Sequence, residues 1–193
     1  MKLTPEMLLY GYSQGVFPMD HEGKIYWYDP DPRAIIPLDE RFHVSHSLAR
    51  TIRKGVFEIR IDTAFEETMR RCAEAAHDRP TTWISDEFIR QYVTLHEAGF
   101  AHSVEAWHNG AMVGGLYGVA LAGLFAGESM WTRVRDASKV ALVALVERLR
   151  AGGFVLLDTQ FITPHLARFG TYEISRRDYH RRLQAALKVQ AEF

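Results

Sequence analysis

The sequence predicts an α+β fold, and three observations carry that prediction. Residues 101–160 read as three strands, a helix and a further strand, in that order. Asn109-Gly110 lies between two apolar runs and signals a hairpin, because both central positions of a type I′ turn need φ > 0. Before Pro80 the chain is helical and loop-rich; after it, the chain is β-rich around one long helix. That shift predicts a small N-terminal domain over residues 1–80 and a larger domain over residues 81–193.

Thr4-Pro5-Glu6 opens a helix, with a capping Thr and Pro at the first helical position. It runs to about Gln14 and stops at Gly15. Val16 to Leu38 is expected to be irregular, because prolines in Asp29-Pro30-Asp31-Pro32-Arg33 oppose regular structure. Trp27 and Tyr28 beside that run either line a groove or tuck under the loop. Ser45 caps a short helix ending near Gly55, and Val56 to Ile61 is a strand. Asp62 is expected to cap a helix over Thr63 to Ala76, followed by the polar loop His77 to Pro80. Thr81 to Ile84 is extended. Ser85 caps the helix Asp86 to Glu97, and Gly99 ends it.

Ala101 to Trp107 alternates as a strand, and Ala111 to Ala120 is a small, apolar, glycine-rich one. After a turn at Ala122-Gly123, Leu124 to Trp131 is a third. Asp136 or Ser138 caps the helix Lys139 to Arg150. Its apolar positions cover most of the circumference, which predicts burial on more than one side. Gly152-Gly153 ends it, and the apolar strand Phe154 to Leu157 runs into Asp158-Thr159-Gln160. Pro164 to Phe169 is a short helix closed by Gly170. Ser175 and Asp178 have capping-box spacing for a last helix, Arg176 to about Lys188.

Two carboxylates stand out. Glu128 sits inside an apolar strand between Gly127 and Ser129, and Asp158 ends another. A charge at such a place is costly unless it is paired or used. Each either satisfies an Arg or a helix N-terminus, or takes part in chemistry. Asp158 and Gln160 are two apart, so a regular strand puts them on one face.

The composition is that of a globular protein: 47% of the 193 residues are hydrophobic and 24% charged. No apolar run has transmembrane length, so no membrane association is expected. The first residues lack a signal-peptide core, and Cys72 is the only cysteine, a thiol expected to be half-buried and unreactive. Both features predict a cytoplasmic location. The nine histidines show no metal-ligating spacing. Net charge is −1, so nucleic-acid binding would need local charge. Arg41, Arg50, Arg53, Lys54 and Arg60 outnumber Glu58 in one stretch. Arg168, Arg176, Arg177, Arg181, Arg182 and Lys188 outnumber Glu173 and Asp178 in another. These are solvated helix faces or phosphate contacts.

The strings LLYGYSQGVFPM, WYDPDPRAIIPLD, FHVSHSLART, GGLYGV, LFAGESMW, ASKVAL, LLDTQF and RFGTYEISRRDY occur in this order along nearly the whole chain. Together they resemble the leucyl/phenylalanyl-tRNA–protein transferase family. The resemblance implies an acetyltransferase-like (GNAT-like) fold for the C-terminal part, which the element order after Ser85 also fits. It implies transfer of Leu or Phe, with Met a third candidate donor, from charged tRNA to the N-terminal amine of proteins beginning with Arg or Lys. Those proteins are thereby marked for degradation by the N-degron route. The expected partners are therefore aminoacyl-tRNA and such proteins, and the expected state is a monomer. An aminoacyl ester is already activated, so no cofactor or metal is needed.

An acetyl-CoA-dependent N-acetyltransferase is the alternative on this fold. Its pyrophosphate needs a glycine-rich turn before the helix, whereas Trp131 to Ser138 has no glycine and carries Asp136. A non-catalytic RNA-binding module fits the near-neutral charge and the two carboxylates less well. The resemblance points to Asp158 and Gln160 as the catalytic pair. Asp158 would act as base directly or by orienting Gln160, Gln160 would position the amine or the oxyanion, and Glu128, the third expected catalytic residue, would bind the cationic acceptor terminus or the donor's amino group. Trp83, Leu116, Phe125, Ser129, Met130, Leu142, Leu145 and Leu149 are expected around the donor side chain, though single helix leucines also read as plain core. Arg50, Arg53, Lys54, Arg176, Arg177 and Arg181 are expected to contact tRNA. The family often has Asn at position 163, Trp at 19 and Phe at 145 and 149; here these are Thr163, Met19, Leu145 and Leu149. The preference between Leu and Phe stays open.

Overall fold

The computed structural model describes residues 3–74 and 82–193. The chain runs through α1 (Pro5–Ser13), β1 (Phe17–His21), β2 (Lys24–Tyr28), β3 (Arg33–Ile36), α2 (His46–Arg53), β4 (Glu58–Ile61) and α3 (Phe65–Ala73). It continues with α4 (Asp86–Glu97), β5 (Ala101–His108), β6 (Ala111–Leu121), β7 (Leu124–Thr132) and α5 (Ala137–Ala151). Then come β8 (Leu156–Gln160), α6 (Pro164–Ala167), β9 (Tyr172–Ile174) and α7 (Arg176–Ala186). The class is α+β, as the sequence predicts.

Seven strands form one sheet in the order β4-β5-β6-β7-β8-β3-β9, and β1 and β2 form a separate hairpin. Only β7 and β8 are parallel among these pairs. A parallel neighbour needs a long crossover, and α5 supplies it. Side chains alternate across the sheet, so β6 feeds two cores. Tyr117 points to the side of α3 and α4, with Phe65, Met69, Phe88 and Tyr92. Leu116 points to the side of α5, with Val104, Phe125, Leu145 and Leu157. A helix sandwiched this way is apolar all round, which is why α5 buries Val140, Leu142, Val143, Leu145, Val146 and Leu149. Full burial of Phe125 alone contributes about 2 kcal/mol.

The expected division at residue 80 falls among residues outside the described ones, as do the polar loop His77 to Pro80 and the last residues of the helix expected to reach Ala76. Strands from both sides of it, β3 and β4 before and β5 to β9 after, pair in one sheet. No helix among the described residues is long and apolar enough to cross a membrane.

Local signals read from the sequence mostly form the expected turns and caps. Asn109 and Gly110 have φ of 51° and 77°. The hydroxyls of Thr4, Ser45, Ser85 and Ser175 accept from Met7, Leu48, Phe88 and Asp178 N–H. Four expectations fail for physical reasons. Val16 to Leu38 is mostly regular: β1 and β2 pair through a turn at Glu22-Gly23, β3 follows, and irregular chain is left at residue 16, at the proline run 29–32 and at 37–38. Pro18 is tolerated because β1 pairs on one side only. Asp62 does not cap α3; it accepts from Ser103 N–H and pairs with His102 instead. The buried Glu105 of β5 takes over, accepting from Thr63 and Ala64 N–H. Neither Asp136 nor Ser138 forms a side-chain cap: Asp136 sits at φ 71° and bonds Lys139. Cys72 is fully buried rather than half-buried.

Candidate active site

β7 and β8 pair only over Leu124↔Leu156, Phe125↔Leu157 and Ala126↔Asp158, then separate. A pocket of about 510 Å³ opens in the wedge between them. Its floor is apolar, from Leu116 of β6, Met130 of β7 and Leu142 and Leu145 of α5. Its polar wall comes from Glu128, Thr159, Gln160, Thr163 and His165.

Two bulges face each other across this wedge. On β7, Tyr117↔Ser129 is followed by Gly118↔Gly127, so Glu128 is the extra residue. On β8, Ile35↔Asp158 is followed by Ala34↔Gln160, so Thr159 is the extra one. A bulge re-aims side chains by breaking the alternation. Gly118 permits the first: a Cβ there would lie 2.4 Å from the Ala126 carbonyl oxygen. At the second, Gln160 adopts φ 61°, and the Thr159 hydroxyl donates to the Ala34 carbonyl. Asp158 and Gln160 therefore do not share a face.

Asp158 is 1% exposed and is not among the pocket-lining residues. Its carboxylate is saturated. Oδ1 accepts from Arg33 Nε at 3.0 Å and Gln160 N–H at 2.9 Å. Oδ2 accepts from Arg33 NH2 at 2.6 Å and the Tyr179 hydroxyl at 2.9 Å. Arg33, itself 1% exposed, also donates to the Gly15 carbonyl and lies over the rings of Phe17 and Tyr179. Burial works against its charge, but Asp158 more than offsets that and holds the guanidinium ionised. Asp158, expected as the base, ties β3, β8 and α7 together through these four hydrogen bonds.

Glu128 is the pocket's carboxyl. Burial pushes its pKa up to about 8, and the Asp158 charge adds to the shift. The Tyr12 hydroxyl, which donates to Oε1 at 2.7 Å, together with Arg33 and Tyr92, pulls the other way. Tyr12 in turn shares a hydrogen bond with the Tyr92 hydroxyl. Burial keeps both phenols protonated well above their usual range. Three pocket residues carry buried polar atoms with no partner among the described residues: Gln160 Nε2, Trp131 Nε1 and His165 Nε2. Such atoms are rare in native structures and ask for an explanation, such as a bound group.

Of the side chains expected around the donor, Leu116, Ser129, Met130, Leu142 and Leu145 line the pocket. Three do not. Trp83 packs edge-on against Phe88 in the core on the other face of the sheet. Phe125 is fully buried and stacks on Phe193. Leu149, one helical turn past Leu145, is buried beyond the pocket. Arg33, Tyr12, Trp131 and His165 were not singled out by sequence. His165 and Trp131 carry no spacing signal, and Arg33 and Tyr12 meet their partners across 125 and 116 residues. The six cations expected at tRNA are all exposed. Among the described residues, Arg50, Arg53, Lys54 and Arg177 form no ion pair, while Arg176 and Arg181 sit in exposed pairs with Asp29 and Asp178. Arg41 and Arg60 are engaged by Asp39 and Glu58.

Two family models match: the leucyl/phenylalanyl-tRNA protein transferase over residues 35–184 and its N-terminal domain over residues 1–31. A leucyl/phenylalanyl-tRNA–protein transferase of Herpetosiphon aurantiacus is 71% identical over 100% of this chain and 98% of its own. One from Paramagnetospirillum magneticum is 57% identical over 99% of this chain and 92% of its own. Among solved structures, L-PGS from Bacillus licheniformis is similar at a TM-score of 0.46 and 14% identity, over 84% of this chain and 54% of that one. That likeness is too distant to bear on the chemistry. The match to the family models covers most of the chain, and the chain belongs to the leucyl/phenylalanyl-tRNA–protein transferase family.

Proposed function

We propose that this protein moves Leu or Phe from the 3′ end of charged tRNA to the N-terminal amine of proteins that begin with Arg or Lys. The observation that carries the reading is the pocket itself. An apolar floor suited to a branched or aromatic side chain meets a carboxyl with a pKa of about 8 and unpartnered polar atoms on Gln160 and Trp131. The acyl side chain occupies the leucine floor, and the ester carbonyl lies toward Gln160 Nε2, where an amide N–H meets the developing oxyanion.

Glu128 takes the acceptor amine. An α-amine has a pKa of about 7.7–8.0, matched to this carboxyl, so a proton passes between them with little driving force either way. The neutral amine then attacks the ester carbon. The C–N bond forms, the C–O bond breaks, and the leaving 3′ oxygen ends with the proton. Asp158 acts at one remove: it fixes the bulge by accepting the Gln160 N–H. Placing amine and ester together supplies much of the acceleration. The small and large domains expected from sequence are proposed to act as one unit, since β3 and its Arg33 complete the site.

Coenzyme A is disfavoured. The first turn of α5 packs onto Gly114, where a Cβ would lie 2.6 Å from Ala137, and Asp136 puts an acid at the N-terminus of α5, where a phosphate would be repelled. The exposed ends of α2 and α7, with Arg50, Arg53, Lys54, Arg176, Arg177 and Arg181, are proposed to hold tRNA phosphates. The protein is proposed to act in the cytoplasm as a monomer. The test is incubation with leucyl-tRNA and a peptide beginning with Arg. A mass gain of one Leu on the peptide is expected; no gain, or a gain only with acetyl-CoA, would overturn the reading.

A further inference from the structure

His165 has no part in the roles given so far, yet it stands at the polar end of the pocket on α6. Its Nε2 is buried and has no hydrogen-bond partner among the described residues. Its ring is set edge-on against Phe169, with centroids 5.8 Å apart. Burial, Lys139 and Arg168 all push its pKa down. The ring is therefore neutral near pH 7, with one nitrogen donating and the other accepting.

The surroundings say which part of a substrate reaches it. The pocket is also lined by Leu116, Met130, Leu142 and Leu145, which suit the acyl side chain. Lys139 and Arg168 lie close enough to His165 to affect its proton; Lys139 is paired with Asp136, whereas Arg168 is exposed and forms no ion pair among the described residues, so Arg168 marks the side on which a polyanion is welcome. An aminoacyl nucleotide with its side chain on the leucines would turn its phosphates toward Arg168. The ribose that bears the ester lies between, and its free hydroxyl both donates and accepts.

We propose that His165 positions the donor by a hydrogen bond from its Nε2 edge to the ribose hydroxyl beside the ester, so that the pocket selects a ribonucleoside over its 2′-deoxy form. This rests on the aminoacyl-transfer reading above. The contact does no bond making; it fixes the leaving oxygen relative to the carbonyl at Gln160.

The test compares leucyl-adenosine with its 2′-deoxy form as donors, for the wild type and His165→Leu. Removing the hydroxyl lowers intrinsic ester reactivity equally for both enzymes, so the ratio of kcat/KM values isolates the contact. The wild type is expected to prefer the ribose form by about tenfold more than His165→Leu does. His165→Gln, which returns a side-chain amide, is expected to recover part of that preference. Equal preference in the wild type and His165→Leu would overturn the proposal. Should His165→Leu fail to fold, the ¹⁵N resonance of His165 in the wild type decides. It is expected to shift on adding an amide-linked, unreactive leucyl-adenosine analogue and not with its 2′-deoxy form; an identical response to both would overturn the proposal. A wild type inert toward leucyl-tRNA as well as leucyl-adenosine would instead sink the transfer reading on which the proposal rests.

Discussion

Glu128 and Asp158 sit on adjacent strands of one sheet, close enough for each charge to be felt by the other, and they end in opposite states. Asp158 accepts four hydrogen bonds, from Arg33, Tyr179 and Gln160, and is closed off. Glu128 is met by the hydroxyls of Tyr12 and Tyr92 and by no cation in direct contact among the described residues; it lines the cavity, and burial pushes its pKa up to about 8. By sequence both are acids in or at the end of apolar strands, with Asp158 expected as the base and Glu128 as the binder of an amine. The difference comes from the two bulges and from which cation lies within reach. On the proposed reading, one carboxylate builds the site and the other works in it.

That contrast breaks most visibly at Glu128. Glu128→Gln is expected to lower transfer by about 10²–10⁴-fold, the usual worth of a proton acceptor. The fold should survive, because an amide can accept from Tyr12 as well. Stability should even become less sensitive to pH. Between the ordinary carboxyl value of 4.5 and about 8, the native state holds a proton that the unfolded chain has released. Native stability therefore falls as pH rises through that window, by at most about 1.4 kcal/mol per pH unit and by less where water enters the pocket. Denaturant titrations across that range should show the slope in the wild type and lose it in Glu128→Gln.

At Asp158 the expected effect is on folding first. Asp158→Asn strands the buried Arg33 charge and should cost about 3–5 kcal/mol. Arg33→Met alone should cost a similar amount, and the double substitution should recover much of either loss. An Asp158→Asn protein with normal stability and abolished transfer would reverse the assignment of the two acids. Tyr12→Phe sharpens the contrast with a smaller effect. Its hydrogen bond lowers the Glu128 pKa, so its loss should raise that pKa and move the limb of the rate profile to higher pH. An unmoved limb would separate Tyr12 from Glu128. The smallest effect concerns distant charge. Reversing two of Arg50, Arg53, Lys54, Arg176, Arg177 and Arg181 should weaken all tRNAs similarly and flatten the salt dependence of binding. Transfer from leucyl-adenosine should be nearly unchanged; equal losses with both donors would mean these residues support the fold.

Features set by neighbours in sequence were readable from it. Asn109-Gly110, the Thr4 and Ser85 caps and the all-round apolar α5 follow from local rules, and Leu142 and Leu145 place the apolar floor. Features set by distant partners were not. Nothing near Asp158 indicates Arg33, and nothing near Glu128 indicates Tyr12 or Tyr92. The bulge at Thr159 is closed by the Ala34 carbonyl from another strand, so a reading by alternation put Gln160 on the wrong face. β9 is three residues long and exists because β3 offers it an edge.

The most direct measurement uses an acceptor peptide whose N-terminal amine is replaced by an aminooxy group, which stays neutral across the working range and removes the amine's own titration from the profile. Single-turnover transfer from leucyl-tRNA is then followed against pH. In the wild type the rate should rise through a limb near pH 8, and that limb should be absent in Glu128→Gln and present in any Asp158→Asn protein that folds. A limb that survives in Glu128→Gln, or that vanishes only in Asp158→Asn, would contradict the account.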